Sequence, residues 1–352
     1  MQEALARDPR EPVRGFLLLP PDEEPGSVFA YSQPCTYALA AVIQRAAGMR
    51  LTEYLRPRLF DPLGIGEVGW LAWPPGREQG FSGLFARTED VAKLGQLYLQ
   101  RGRWGEDQLL GERYVEQATS RQIDTPNQEN VDWRQGYGFQ FWMARHGYRG
   151  DGAFGQFCVV LPEQDAVVAI TGGTEAMQGV LDNLWEHLLP GLGTGGPDGT
   201  AQQDLDKRLS GLSRPPCVAR PSPPRWPDWT GGPFPVAPAT EGMPAAPLTS
   251  VELRQTDSGL EATIAEPANA LTFPVGAGDW LVSAPRDRHG DVVPVATSGG
   301  WLDDQTLRVE VIFLESPHRM DIVCSLPTRT AEAAWRGVPL DGGRLQTLHR
   351  PR

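Results

Sequence analysis

Eleven prolines fall within the thirty-three positions 215–247, and this stretch limits how the chain can fold more than any other. Proline fixes φ at about −65° and carries no N–H, so a run this dense opposes both helix and sheet. The density predicts a loop-like linker over residues 191–247 between two blocks, 1–190 and 248–352. A length of 352 residues leaves room for two domains. Trp226, Trp229 and Phe234 inside the stretch predict a linker that packs on a neighbour.

The first block reads as helices followed by a sheet. A helix is predicted over 35–47, stopped by Gly48, and a second from Thr52 to just before Pro62. A third takes Thr88 as its N-cap and ends at Gly102, with Val91, Leu94 and Tyr98 on one face. A fourth spans "LLGERYVEQAT". The period then changes from 3.6 to 2. "GYGFQFWMA" alternates, with Tyr137, Phe139 and Phe141 on one side, and "FGQFCVVLPEQDAVVAITGG" reads as a hairpin turning at Pro162 to Asp165. Met177, Val180, Leu181, Leu184, Trp185 and Leu188 then follow helical spacing, which predicts a helix lying across that sheet. The fold class expected is α+β: a helical region, an antiparallel sheet and a covering helix. In the last block, Leu307, Val309, Val311 and Phe313 alternate inward, as do Met320, Ile322, Cys324 and Leu326. They predict a small all-β barrel or sandwich.

Composition excludes several functions. A net charge of −12 opposes general affinity for nucleic acid or anionic membranes, which require a basic face. No apolar run is long enough to span a bilayer, and the first twenty residues lack a signal-peptide core, so a cytoplasmic protein is expected. Cys35, Cys158, Cys217 and Cys324 form no CxxC pair and are expected to be buried free thiols. The five histidines show no HxxxH or HExxH spacing, and no phosphate-binding glycine loop is present, so no metal or organic cofactor is expected. His187, on the covering helix, is expected to be partly buried and structural. Ser298 in "ATSGG" fits only a loosened nucleophile pattern, with no helix after it.

Three stretches, in order, resemble the serine β-lactamase and penicillin-binding-protein-like hydrolases, especially the class C β-lactamase and esterase branch. Residues 24–65 hold a Pro-Gly turn, "YSQ" where Tyr-x-Asn is usual, and two helices ending in Pro-Leu-Gly. "GFSGLFARTEDVAKLG" is similar to the family's Ser-Gly-Gly-Leu turn and the helix after it. "GYGFQFW" and "YRGDGAFGQFCVVLPEQDAVVAIT" resemble its closing segment. The last block, "VPVATSGGWLDDQTLRVEVIFLESP" included, resembles a small β-barrel appended to some members.

The resemblance implies acyl-enzyme hydrolysis of a small ester, amide or lactam. A serine attacks the carbonyl, a lysine one helical turn later helps deprotonate it, and a tyrosine shuttles the proton. Tyr31 stands in the place of that tyrosine, and Gln33 replaces the usual Asn. Asp151, Gly152 and Ala153 fall in or next to the third motif, and Arg149 could supply its positive charge. Trp142, His146 and Gln156 are further candidates to line the site. The Ser-x-x-Lys motif is absent: the residues three before Lys93 and Lys207 are Asp90 and Asp204. The expectation is therefore a family domain over 1–190 that lacks its amino-terminal catalytic segment and is inactive or nearly so. The alternatives are a non-catalytic pseudoenzyme or binding protein, completion by a partner or a second copy, and an apolar-ligand role for the β domain.

Overall fold

The computed structural model describes residues 2–193, 195–196, 198–220, 222–223, 225–237 and 244–351. The chain divides into two compact units, 1–195 with 350–352, and 196–349.

The first unit opens with α1 (Gln2–Arg7) and α2 (Pro12–Leu17). A Cβ at Gly15 would lie 2.0 Å from the Ala4 carbonyl oxygen, so only glycine lets these two helices meet. The next helix, α3 (Gln33–Ala47), begins two residues before the predicted start and stops at Gly48 with φ 68°. Pro34 lies in its first turn, where a missing N–H costs nothing. Next, α4 (Leu51–Leu55) runs into a wider turn, Arg56–Phe60, close to the predicted limits. Two short strands, β1 (Gly69–Trp70) and β2 (Leu84–Phe85), pair antiparallel ahead of α5 (Thr88–Leu99).

Thr88 is the first residue of α5, and the N-cap position belongs to Arg87. The Thr88 hydroxyl instead pairs with that of Thr171 at 3.1 Å. The most deeply buried residue of α5 is Leu97, packed with Phe60, Leu63 and Ile65, while Val91, Leu94 and Tyr98 are half-buried. After the β3 (Arg103–Trp104) and β4 (Asp107–Gln108) hairpin comes α6 (Glu112–Ala118).

A four-stranded antiparallel sheet follows in the order β5 (Trp142–Met143), β6 (Tyr148–Gly152), β7 (Gln156–Leu161), β8 (Ala166–Ile170). The β7–β8 hairpin turns through Pro162–Gln164 as predicted. Helices cover both faces. On one, Gly95 of α5 lies so close that a Cβ there would be 2.8 Å from Cys158 Sγ and 2.6 Å from Val167 Cγ1. On the other, Phe157, Val159 and Leu161 pack against Leu181, Leu184 and Trp185. These last three come from α7 (Met177–Asn183) and the wider turn Leu184–Leu188 that extends it. Each such apolar side chain contributes roughly 1.5–3 kcal/mol on burial. The alternation over 136–144 misled: Gln140 sits at φ 66°, and the Gly138 N–H reaches the Phe141 carbonyl at 2.8 Å. Residues 137–142 therefore form a tight turn, not a strand, and only Trp142–Met143 joins the sheet.

In the second unit the loop predicted over 191–247 is partly helical. Asp198 accepts the N–H of Thr200 at 2.9 Å and of Ala201 at 3.3 Å, starting α8 (Gly199–Ser210). The proline-rich stretch also carries α9 (Trp226–Thr230), with Pro227 in its first turn, and β9 (Phe234–Pro235). Trp229 and Phe234 are buried in the unit's core.

Eight further strands complete this unit: β10 (Ser250–Thr256), β11 (Gly259–Ala265), β12 (Ala270–Ala277), β13 (Leu281–Ser283), β14 (Val295–Trp301), β15 (Thr306–Phe313), β16 (Arg319–Ser325) and β17 (Thr330–Trp335). Among the described residues they run β17-β16-β15-β14-β12-β11-β10-β9, with β13 on β14. Val236, just past β9, bridges Ala331 of β17, so the sheet comes round almost into a barrel. Leu307, Val309, Val311, Phe313, Met320, Ile322 and Cys324 all point into its core, as their alternation predicts. No helix among the described residues is long and apolar enough to cross a membrane.

Candidate active site

Tyr31 lies immediately ahead of Ser32, the residue at the N-cap position of α3. It is 58% exposed, so the ring is not sealed inside the protein. Its ring stacks on buried Trp142, centroids 5.9 Å apart and planes 14° from parallel, and meets the edge of Tyr137 at 6.3 Å. Phe29 packs against the same pair at 4.9 and 5.3 Å. The Thr36 hydroxyl donates to Gln140 Oε1 at 3.0 Å, fastening the first turn of α3 to the 137–142 turn. The turn that broke the predicted strand is thus what carries the aromatic platform.

On β6, Arg149 and Asp151 alternate onto one face. The Arg149 side chain is fully buried, and its Nε lies 2.9 Å from Asp151 Oδ1. Nη2 donates to Asp151 Oδ2 at 3.2 Å, while Nη1 donates to the carbonyls of Asp132 at 3.1 Å and Met143 at 2.9 Å. The guanidinium also lies 4.5 Å over the Trp133 ring. Burial pushes Asp151 above the usual carboxylate range and Arg149 below its own, each opposed by the attraction of the other. The positive charge of Arg149 is therefore spent on Asp151 and on two carbonyls.

Gly152 ends β6, and Ala153 lies in the turn that follows. Gln156 secures that turn: its amide donates to the carbonyls of Ala153 at 3.2 Å and Gly172 at 2.7 Å, and its Oε1 accepts the Gly172 N–H at 3.2 Å. Gln33, in the first turn of α3, is exposed. His146 is exposed in the β5–β6 turn, 5.1 Å from Trp185 between ring centroids, at the opposite end of β6 from Asp151. The structure thus brings Tyr31, Trp142 and Asp151 into one neighbourhood, gives Arg149 and Gln156 internal partners, and keeps His146 apart.

Two expectations change, those for His187 and Cys35. His187 is exposed, not partly buried. Cys35 is exposed, whereas Cys158, Cys217 and Cys324 are buried, all four as free thiols. Ser298 is fully buried, its Oγ accepting the Cys217 N–H at 3.0 Å.

Electrostatics decide what Tyr31 can do. Burial against its aromatic neighbours, then the negative charge of Asp151, raise its phenol above the ordinary value of 10.0. A base role would need the opposite, a cation that lowers it. Lys93, the lysine of this unit, donates to the Gly64 carbonyl at 2.6 Å and pairs with Asp90 at 3.1 Å.

Sequence reasoning missed Asp132, which has no partner at a recognisable spacing. Its fully buried carboxylate accepts from Arg145 Nη2 at 2.8 Å, Gln178 Nε2 at 2.6 Å and Trp185 Nε1 at 3.1 Å. Burial alone would raise it, but these bonds hold it down at about 2. Asp132 ties the β5–β6 turn to α7 behind the platform. Its backbone carbonyl also holds Arg149.

An α+β domain with a helix on each face of an antiparallel sheet defines the class of fold. A family model described as Beta-lactamase matches residues 2–184, more than half of the chain. The chain belongs to the β-lactamase family. No curated protein matches the sequence. Among solved structures, a protein from Bacillus anthracis described as a 6-aminohexanoate-dimer hydrolase is similar at 20% identity and a TM-score of 0.43, over 60% of this chain and 55% of its own. A Bacteroides dorei protein described as a beta-lactamase is similar at 15% identity and 0.38, over 46% and 56%. The octameric penicillin-binding protein homologue from Pyrococcus abyssi is similar at 14% and 0.32, over 89% and 65%. The match spans just over half the length of the first two.

Proposed function

We propose that this β-lactamase-family chain binds a small ester, amide or lactam at the aromatic platform around Tyr31 and does not hydrolyse it by itself. One observation carries the reading: the phenol stands open on Trp142 and Tyr137, with Asp151 as its charged influence. Acylation needs a hydroxyl beside a base. No serine in the sequence lies three residues before a lysine, and a phenol raised above its ordinary range stays neutral at pH 7. Such a phenol donates a hydrogen bond to an acyl oxygen but does not draw a proton from a nucleophile. In this reading Tyr31 keeps the family's tyrosine position without its shuttle role. Gln33, Gly152 and Ala153 are, in the same reading, the further ligand contacts, and Arg149 positions Asp151.

The test combines turnover of p-nitrophenyl acetate and a chromogenic β-lactam with quenching of Trp142 fluorescence by an unreactive amide. Saturable quenching that Tyr31→Phe weakens, with no turnover above that variant, supports the reading. Turnover above Tyr31→Phe overturns it.

A second reading, completion by another chain or a second copy, is supported by an apolar groove of about 890 Å³ where α2, α3 and α4 meet. Leu17, Leu18, Val42 and Met49 line it, all of them exposed. Sedimentation velocity tests this: association that Val42→Glu abolishes favours it, and a monomer at every concentration excludes self-association.

A further inference from the structure

Asp287, Asp291 and His349 bring three ligand-type atoms to within 4.8 Å of one another in the second unit. The two carboxylates come from the tight loop between β13 and β14, where Arg286 bridges Val292. His349 follows the short turn Leu345–Thr347 near the end of the chain. Asp287 and His349 are buried, at 6% and 5% exposure.

The Asp287 carboxylate is already aimed. Its Oδ1 accepts the N–H of His289 at 2.9 Å and of Asp291 at 3.0 Å, and its Oδ2 accepts Asn269 Nδ2 at 2.7 Å. Asn269 is oriented in turn, its Oδ1 accepting the N–H of Ala270 at 2.8 Å and of Arg288 at 3.1 Å. An ionised carboxylate has about four acceptor positions, so one remains for a further partner. Such outer bonds are what hold a metal-binding carboxylate in place.

The other two groups face each other across a gap that an ion would bridge. His349 Nε2 lies 4.0 Å from Asp291 Oδ2, too far for a hydrogen bond. Two ligands about 2.1 Å from a tetrahedral zinc stand about 3.4 Å apart, so this pair would close by roughly half an ångström and the widest of the three by up to about 1.4 Å. Asp291, half-exposed, is the member free to move, and its open side leaves room for water as a fourth ligand.

We propose that Asp287, Asp291 and His349 form a divalent-cation site of zinc type that ties the C-terminal run to the β13–β14 loop. One imidazole and two carboxylates suit zinc better than magnesium or calcium, which prefer oxygen alone. The tie would be structural. Leu345 and Leu348 lie fully buried in the barrel core just before His349, so the ion would clamp the segment that closes that core. Histidine spacing carries no trace of the site, because its ligands come from two distant segments.

The experiment uses the full chain, stripped with a chelator and titrated with zinc by calorimetry alongside thermal melting. The expected result is one zinc per chain and a melting temperature raised by about 5 °C with zinc at a hundredfold excess over Kd. Asp291→Asn keeps the side-chain shape and is half-exposed, so it should fold as the parent does, melt like it without metal, and bind at least tenfold more weakly. His349→Ala should lose binding altogether. Absence of stoichiometric zinc, or an Asp291→Asn variant that binds as the parent does, overturns the proposal. Neither outcome bears on Tyr31.

Discussion

Replacing Asp132 by Asn should destabilise the first unit strongly. The substitution keeps the volume but presents an NH₂ group to Arg145, Gln178 and Trp185, which all donate to the carboxylate. Removing one partner of a buried ion pair costs about 3–5 kcal/mol. The Arg145 side chain is 35% exposed and recovers some hydration, so about 3 kcal/mol is expected. The pH dependence gives a second handle. Asp132 is held at about 2 in the fold against an ordinary 3.8. A carboxylate lowered in this way contributes about 2 kcal/mol. That contribution is fully present above pH 3.8 and lost as the pH falls through 2. Urea unfolding followed by circular dichroism at pH 7, 5, 3 and 2 measures both quantities. A loss under 1 kcal/mol in Asp132→Asn, or an acid dependence identical to the parent's, would refute the claim that this carboxylate locks the β5–β6 turn to α7.

Three further outcomes follow from individual contacts. Gly95→Ala should cost about 1–3 kcal/mol in urea melts, because its Cβ would press on Val167 and Cys158, both fixed in the sheet. Gln156→Ala should cost about 1–2 kcal/mol and speed amide exchange at Gly172, whose N–H and carbonyl both bond to that side chain. Titration at 295 nm, taken as the difference between the parent and Tyr31→Phe, should place the Tyr31 phenol above 10.0; a midpoint below that value would put an unseen cation beside it.

The parts legible in the sequence were those where one physical signal acted alone. For α3, an apolar run ended by Gly48 was enough, and the β7–β8 hairpin declared itself by period and turn residues. The barrel strands β15 and β16 alternate without exception. The errors arose where local and tertiary signals compete. The residues of 137–142 alternate like a strand, yet Gln140 takes a left-handed conformation and the turn folds back on itself beneath Tyr31. Proline density over 215–247 concealed α9, because proline in a first helical turn is harmless. Tyr31 was singled out by a motif, whereas Asp132 draws its donors from positions 145, 178 and 185, which only the folded chain brings together.

In the proposed reading, Tyr31 holds the family's tyrosine position with no cation beside it, among the described residues, to make it a base. Steady-state hydrolysis of p-nitrophenyl acetate by the purified chain and by Tyr31→Phe, across pH 6 to 10, tests it most directly. Coincident rates at the level of buffer are expected throughout. A parent rate that exceeds the variant's at any pH would contradict it.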